Sequence, residues 1–291
     1  MSHPIYRKEK ELNMLTITVL CENTASKSGV LGEHGLSFFI QENNVPIIFD
    51  TGAGMTIEHN AKVLNCQLSS VKYLVLSHGH YDHTGGIQAV LQKSAPENIF
   101  AHPFVFEKRY IRDNNGSIRE IGYRGPEKEL VTNTTHFTPV LESTQITETI
   151  YASGPIPRTV PFEKSEPCFY LDPQCTQLDT FPDDQCLFID SKDYGVVLLG
   201  CTHSGVINTL TYLRKNIMKV EKKMIVIGGL HLHSATEERL KMTTDALLSL
   251  DISALYPCHC SGFKSLVYFN TYLPFPCLPA PAGSVFNFYS S

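Results

Sequence analysis

Hydrophobic residues in the first part of the chain gather in short runs separated by turn residues. LTITVL (15–20), LSFFIQE (36–42) and VPIIFD (45–50) are rich in β-branched and aromatic residues, which predicts three short strands. VKYLVLS (71–77) predicts a fourth. It runs straight into the polar stretch LSHGHYDHTGG (76–86), and GGIQAVLQKS (85–94) then has helical spacing. Strand, polar loop and helix in that order describe an α/β element with a functional loop at the strand's carboxyl end.

The second half repeats the order. GVVLLGCTH (195–203) is a strand followed by the helical GVINTLTYLRKNI, and KMIVIGGLH (223–231) is another strand. The helix after it opens with Ser234 and Glu237, spaced as a capping box. ALYPCHC (254–260) is a third such strand, followed by SGFKSLVYFNTYL, and SVFNFYS closes the chain. Four strands thus finish on His or Cys, and their carboxyl ends are expected to converge on one cleft. Between the halves, over 101–183, the pattern weakens and Pro, Gly and charge take over. An unstructured stretch of that length is uncommon inside a compact domain. The expectation is a single domain, 1–291, with 101–183 as an insertion or lid carrying short strands of its own.

Composition narrows the classes. A chain of 291 residues buries a sizeable core, and 42% hydrophobic with 18% charged residues describes an ordinary globular protein. A net charge of -5, with no basic stretch interleaved with aromatics, argues against a nucleic-acid partner. The opening residues lack the pattern of a secretory signal and no apolar run reaches bilayer-spanning length, so no membrane partner and a cytoplasmic location are expected. Nine scattered cysteines, an odd number without framework spacing, read as free thiols, a few of them metal-linked.

The chemistry concentrates in HGHYDH. His78 and His80 stand two apart, so on an extended segment they face the same way and can hold one ion. Asp82 and His83 follow at a bend and face a second position. Gly79, Gly85 and Gly86 permit tight folding around these ligands. Imidazole with carboxylate suits zinc, iron or manganese. Two such ions roughly 3.5–4 Å apart would lower the pKa of a bridging water. Any one histidine is more often a core or surface residue; three with an aspartate at a strand end predict a metal site.

SHGHYDHTGG resembles the His-x-His-x-Asp-His signature of the metallo-β-lactamase superfamily, and IIFDTG places Asp50 where that family carries an aspartate near its site. The resemblance implies an α/β fold, the four-layer αββα sandwich with a dinuclear site along one edge, the inserted segment lying between its halves. VVLLGCTHSGVINTL, VIGGLHL, YPCHCSG and GPIPRTVPFE resemble segments of the branch labelled 7,8-dihydropterin-6-yl-methyl-4-(β-D-ribofuranosyl)aminobenzene 5'-phosphate synthase.

Carried across, the resemblance gives the first metal His78 and His80, and the second Asp82, His83 and the late His259. Cys201 stands where most members place a bridging aspartate, and His203 is expected to complete the first metal's shell. Cys201 has three readings: a soft ligand that suits zinc or iron, a residue supporting the ligands, or a small packing side chain. Asp184 is a weaker candidate for the missing ligand. Asp50 is expected to orient a metal-bound histidine or the water. His231 would orient substrate or protonate a leaving group, and Asp82 and His231 are the expected catalytic residues. Arg158 offers a planar fork for a phosphate or carboxylate. His233 and His102 are weaker candidates, and Cys258 with Cys260 lacks the second pair that a closed structural zinc needs.

The leading expectation is a metal-dependent hydrolase with two divalent ions, zinc before iron or manganese. It would use a metal-bound hydroxide on a small, phosphorylated or pterin-like substrate. One alternative is a synthase forming a ribosyl-aminobenzene 5'-phosphate in pterin cofactor synthesis, although no phosphate-cradling Gly-x-x-x-x-Gly-Lys-Ser is present. Another is a catalytically weak metal- or ligand-binding protein of the same fold, for which Cys201 is the best support. Whether the chain forms a homodimer is left open.

Overall fold

The computed structural model describes residues 13–134 and 136–290. The first strands are β1 (Asn13–Cys21), β2 (Ser37–Glu42), β3 (Val45–Phe49), β4 (Tyr73–Val75) and β5 (Asn98–Ala101). With β8 (His136–Pro139) and β16 (Val285–Ser290) they form a seven-stranded sheet in the order β16-β1-β2-β3-β4-β5-β8. A six-stranded sheet contains β9 (Thr144–Gln145), β10 (Ile150–Ala152), β12 (Cys186–Asp190), β13 (Tyr194–Leu199), β14 (Lys223–Gly229) and β15 (Ile252–Cys258). Its order is β15-β14-β13-β12-β10-β9, with β13, β14 and β15 parallel. A small sheet joins β11 (Phe169–Tyr170), β6 (Tyr110–Arg112) and β7 (Ile118–Glu120).

Side-chain alternation creates the layers. Ile47 and Phe49 of β3 meet Val196 and Leu198 of β13 in a core shared by the two large sheets. Ile48 points the other way, into a second core with Ile57 of α1 (Ile57–Val63) and Ile87 and Val90 of α3 (Ile87–Lys93). Val197 and Leu199 pack into a third core with α5 (Val206–Asn216), α6 (Glu237–Leu247) and α7 (Phe263–Tyr272). Helix, sheet, sheet, helix is the expected αββα sandwich. Each buried Leu or Phe in these cores contributes about 1.5–3 kcal/mol.

Several elements differ from expectation. The ladder of the fourth strand stops at Val75, because from Leu76 the backbone turns into the polar loop. That loop contains a four-residue helix of its own, α2 (Tyr81–Thr84). Thr236, not Ser234, caps α6: its Oγ1 accepts from Arg239 N–H, which makes Glu237 the first helical residue rather than a capping-box partner. β12 and α1 were not anticipated. The segment 101–183 supplies the small sheet, α4 (Lys128–Thr134), and also β8 to one large sheet and β9 and β10 to the other. Among the described residues no helix is long and apolar enough to cross a membrane. All nine cysteines are unbridged.

Candidate metal centre

The polar loop after β4 is pinned from below by Asp50, which is fully buried. Ser77 N–H donates to Asp50 Oδ1 (2.7 Å), and Ser77 Oγ and His83 Nδ1 both reach Oδ2, at 2.6 and 2.7 Å. Gly79 sits so close to the backbone of Val105 that a Cβ there would collide with its carbonyl oxygen. The Gly79 N–H donates to Asp183 Oδ2 at 2.9 Å. These contacts hold an otherwise irregular loop in one shape.

His78, His80 and His203 bring their ring nitrogens within 4.8 Å of one another. The Nε2 of each is buried and has no hydrogen-bond partner. Burial first, then the neighbouring imidazoles and Arg109, holds all three well below the ordinary histidine pKa, so their lone pairs are free at neutral pH. The ring of Phe181 stacks on His203 at 3.9 Å between centroids.

Beside this trio lies a second group. His83 Nδ1 is committed to Asp50, and His259 Nδ1 to Asn23 Oδ1 at 2.8 Å. The two remaining nitrogens face each other: His83 Nε2 is 3.3 Å from His259 Nε2, and His259 Nε2 is 3.4 Å from Asp82 Oδ2. Cys201 Sγ lies 3.2 Å from His83 Nε2 and belongs to ligand-type clusters with His78 and His83, with His203 and His231, and with His259 and Cys260. Its sulfur therefore stands between the two groups. Unpartnered buried Nε2 atoms beside facing Nε2 atoms and a carboxylate fit divalent cations, since neutral imidazole, thiolate and carboxylate are all zinc-type ligands.

His231, where the chain leaves β14, directs Nε2 toward Glu166 Oε1 at 3.4 Å, and its backbone N–H donates to Cys260 Sγ at 3.3 Å. Burial disfavours its charged ring, but Cys260 and Glu166 outweigh that and raise its pKa to about 10. Asp50, Phe181, Thr202, His231 and His259 all occupy the left-handed backbone region. Such conformations cost roughly 1–3 kcal/mol each and cluster at active sites. Glu22 helps hold one of them, accepting the His259 N–H at 2.6 Å.

Other candidates fall elsewhere. Asp184 belongs to no ligand cluster among the described residues; its Oδ2 accepts the Ser204 N–H at 2.8 Å. Arg158 is half-buried and lines neither cavity of the site, facing instead the charges of Asp184, Glu163 and Asp179. His102 caps a single helical turn, its Nδ1 accepting from Phe104 N–H. Cys258 is buried in the core shared by the sheets, while His233 and Cys260 line the cavity.

That cavity, of about 410 Å³, opens over the second group, with Tyr81, Ile111, Ile121 and Phe169 forming its apolar walls. A neighbouring cavity of about 330 Å³ meets it at Phe169, His203 and His231. Sequence reasoning missed the support behind the site. Arg109 is 1% exposed and pairs with Asp183 (2.6 Å) and Asp179 (3.4 Å). The closely spaced aspartates of DTFPDDQ were the available signal for it. His34 and Asn23, beside Asp82 and His259, were also missed; nothing in their local sequence marks them.

The family model of the metallo-beta-lactamase superfamily matches residues 31–157. An uncharacterized protein of Methanocaldococcus jannaschii is 32% identical over 252 residues, covering 86% of this chain and 92% of that one. From the same organism, 7,8-dihydropterin-6-methyl-4-(beta-D-ribofuranosyl)-aminobenzene-5'-phosphate synthase is 28% identical over 266 residues, covering 88% of this chain and 90% of its own length. The crystal structure of a metal-dependent hydrolase of the beta-lactamase superfamily superposes with a TM-score of 0.79 at 25% identity, covering 95% of this chain and all of that chain.

Proposed function

Because the chain belongs to the metallo-β-lactamase superfamily, we propose that it is a metal-dependent hydrolase of a small molecule that enters the cavity over His83 and His259. One observation carries this reading: the buried, unpartnered Nε2 atoms of His78, His80 and His203 stand beside the facing Nε2 atoms of His83 and His259, beneath an open cavity. His78, His80 and His203 would hold one ion, and Asp82, His83 and His259 a second, with Cys201 between them. Ions bound there, zinc before iron or manganese, supply Lewis acidity and lower the pKa of water.

The protein's own groups set the conditions. Asp50 and Asn23 engage the Nδ1 atoms of His83 and His259, which aims both Nε2 atoms inward. Phe169 and Phe181 shield the His80 and His203 rings from bulk water. His231 lines both cavities, Cys260 and Glu166 favour its protonated ring, and it would give a proton to a leaving group.

The test is metal content and turnover on a panel of phosphodiester, thioester and lactam substrates. Asp82→Ala is expected to lose both metal and activity, and His231→Ala activity alone. Full turnover by Asp82→Ala with unchanged metal stoichiometry would sink the assignment. The 28% identical relative, named for a product that joins a dihydropterin-6-methyl group to a ribofuranosyl-aminobenzene 5'-phosphate, favours a second reading in which this chain is a synthase of that kind. Displacement of a phosphate-type leaving group from the 6-methyl carbon of a dihydropterin by the amine of ribofuranosyl-aminobenzene 5'-phosphate, with the amine proton released and no hydrolysis across the panel, would put the synthase reading first.

A further inference from the structure

We propose that His34 is a further working residue of this centre: Asn23 locks its proton on Nε2, from where it hydrogen-bonds an anionic oxygen of the molecule bound in the cavity. The inference rests on the reading of that cavity as the substrate site.

The argument starts at the Asn23 amide. Its Oδ1 accepts from the Gly35 N–H (3.4 Å) and from His259 Nδ1 (2.8 Å). A backbone N–H can only donate, so the atom facing it is the oxygen, and the amide nitrogen must be the atom turned to His34 Nδ1 at 3.4 Å. Nδ2 can only donate, which makes His34 Nδ1 the acceptor and leaves the ring proton on Nε2. That Nε2 lies 3.2 Å from Asp82 Oδ2. One asparagine thus sets two imidazoles in opposite tautomers: His259 with a bare Nε2 suited to a metal, and His34 with an Nε2–H that does not ligate while it keeps that proton, although His34 stands in one ligand-type group with Asp82 and His259.

Exposure separates the two as well. The side chain of His259 is 1% exposed and that of His34 60%, so an incoming molecule reaches His34 first. His34 lines the cavity together with Arg119, and Arg124 lies over the ring of Tyr81. Asp113 holds Nε and Nη2 of Arg119, so the donor this rim offers a phosphoryl or carboxyl oxygen is chiefly the His34 Nε2–H. On binding, the Nε2–H would turn from Asp82 to that oxygen, so the donor is never left without a partner.

The experiment uses the full chain with zinc in excess. Long-range proton–nitrogen correlation on nitrogen-15-labelled protein is expected to show His34 protonated at Nε2 and bare at Nδ1, with or without zinc. A proton on Nδ1, or an Nε2 signal shifted by zinc ligation, overturns the proposal. Inorganic phosphate is then titrated into wild type, His34→Phe and His34→Gln. Loss of one charge-assisted hydrogen bond should weaken phosphate about tenfold in His34→Phe, and the amide of His34→Gln should restore most of it. Equal phosphate affinity in all three proteins, or a zinc-loaded wild type that ignores phosphate, overturns the role of His34 while leaving the metal centre standing. A wild type that takes up no zinc removes the hydrolase reading and this inference with it.

Discussion

His78, His83 and His259 each have one ring nitrogen committed to a fixed partner, respectively Ser77 Oγ, Asp50 and Asn23, and this division decides what the other nitrogen can do. Asp50 carries most of that burden, taking three contacts on two oxygens. Asp50→Asn keeps the shape but swaps one acceptor for a donor. Metal affinity by chelator competition is expected to fall about 10–100-fold; an unchanged affinity would reduce Asp50 to packing. Asp184 makes a different prediction. Burial raises its pKa from 3.8 to about 6, against the pull of the Ser204 N–H. The native state then keeps a proton that the unfolded chain releases between pH 4 and 6, so stability falls as pH rises through that window and levels off above it. The span corresponds to about 3 kcal/mol. Asp184→Asn removes this loss. In urea unfolding of the metal-free protein it should match wild type near pH 4 and exceed it at pH 7. A stability difference that is the same at both pH values would show that Asp184 does not titrate in this range.

Among the elements, the parallel trio β13, β14 and β15 matters most, because parallel strands end on the same edge of a sheet. Cys201 with His203, His231, and His259 with Cys260 follow those three ends, and His78 to His83 come off β4 opposite them. The small sheet closes the site from the side of Phe169, and Arg109 ties it down. Arg109 stands one residue before β6, while its carboxylate partner Asp183 also accepts the Gly79 N–H of the polar loop after β4. Arg109→Leu would leave two buried carboxylates without their cation. The expected cost is about 3–5 kcal/mol in urea unfolding, with a loosened loop seen as weaker metal binding. A change below about 1 kcal/mol would mean that Asp179 and Asp183 find other partners.

On the scale of the whole molecule, the candidate site lies where two sheets, the polar loop after β4 and the small sheet meet, so a metal bound there should hold these parts together. Zinc at about a hundred times its dissociation constant would add about 2.7 kcal/mol, and chelated protein should melt roughly 5 °C lower. Equal melting temperatures would mean that no ion binds the native state selectively. By itself, the sequence determined the strand–loop–helix order and the cluster of ligand-type residues in one loop, and the αββα sandwich came from the family resemblance that this cluster carries. Alternation in strands such as VPIIF dictates two-sided burial, and HGHYDH packs four ligand-type residues into one loop, so both signals are local. The convergence of the Cys201, His231 and His259 segments followed from strands that share an ending. What tertiary structure alone decided is everything that depends on contact between distant residues. Asp183 meets Gly79 from 104 positions away, and Asn23 meets His259 from 236. The local pattern pointed to Ser234 as the cap, and the point where the chain leaves β14 and starts α6 put Thr236 there instead. Hydrogen bonds and buried charges act over a few ångströms of space regardless of chain separation, so the tautomers of His34 and His259, the clamp at Arg109 and the position of Cys201 between the two groups exist only once the chain has folded.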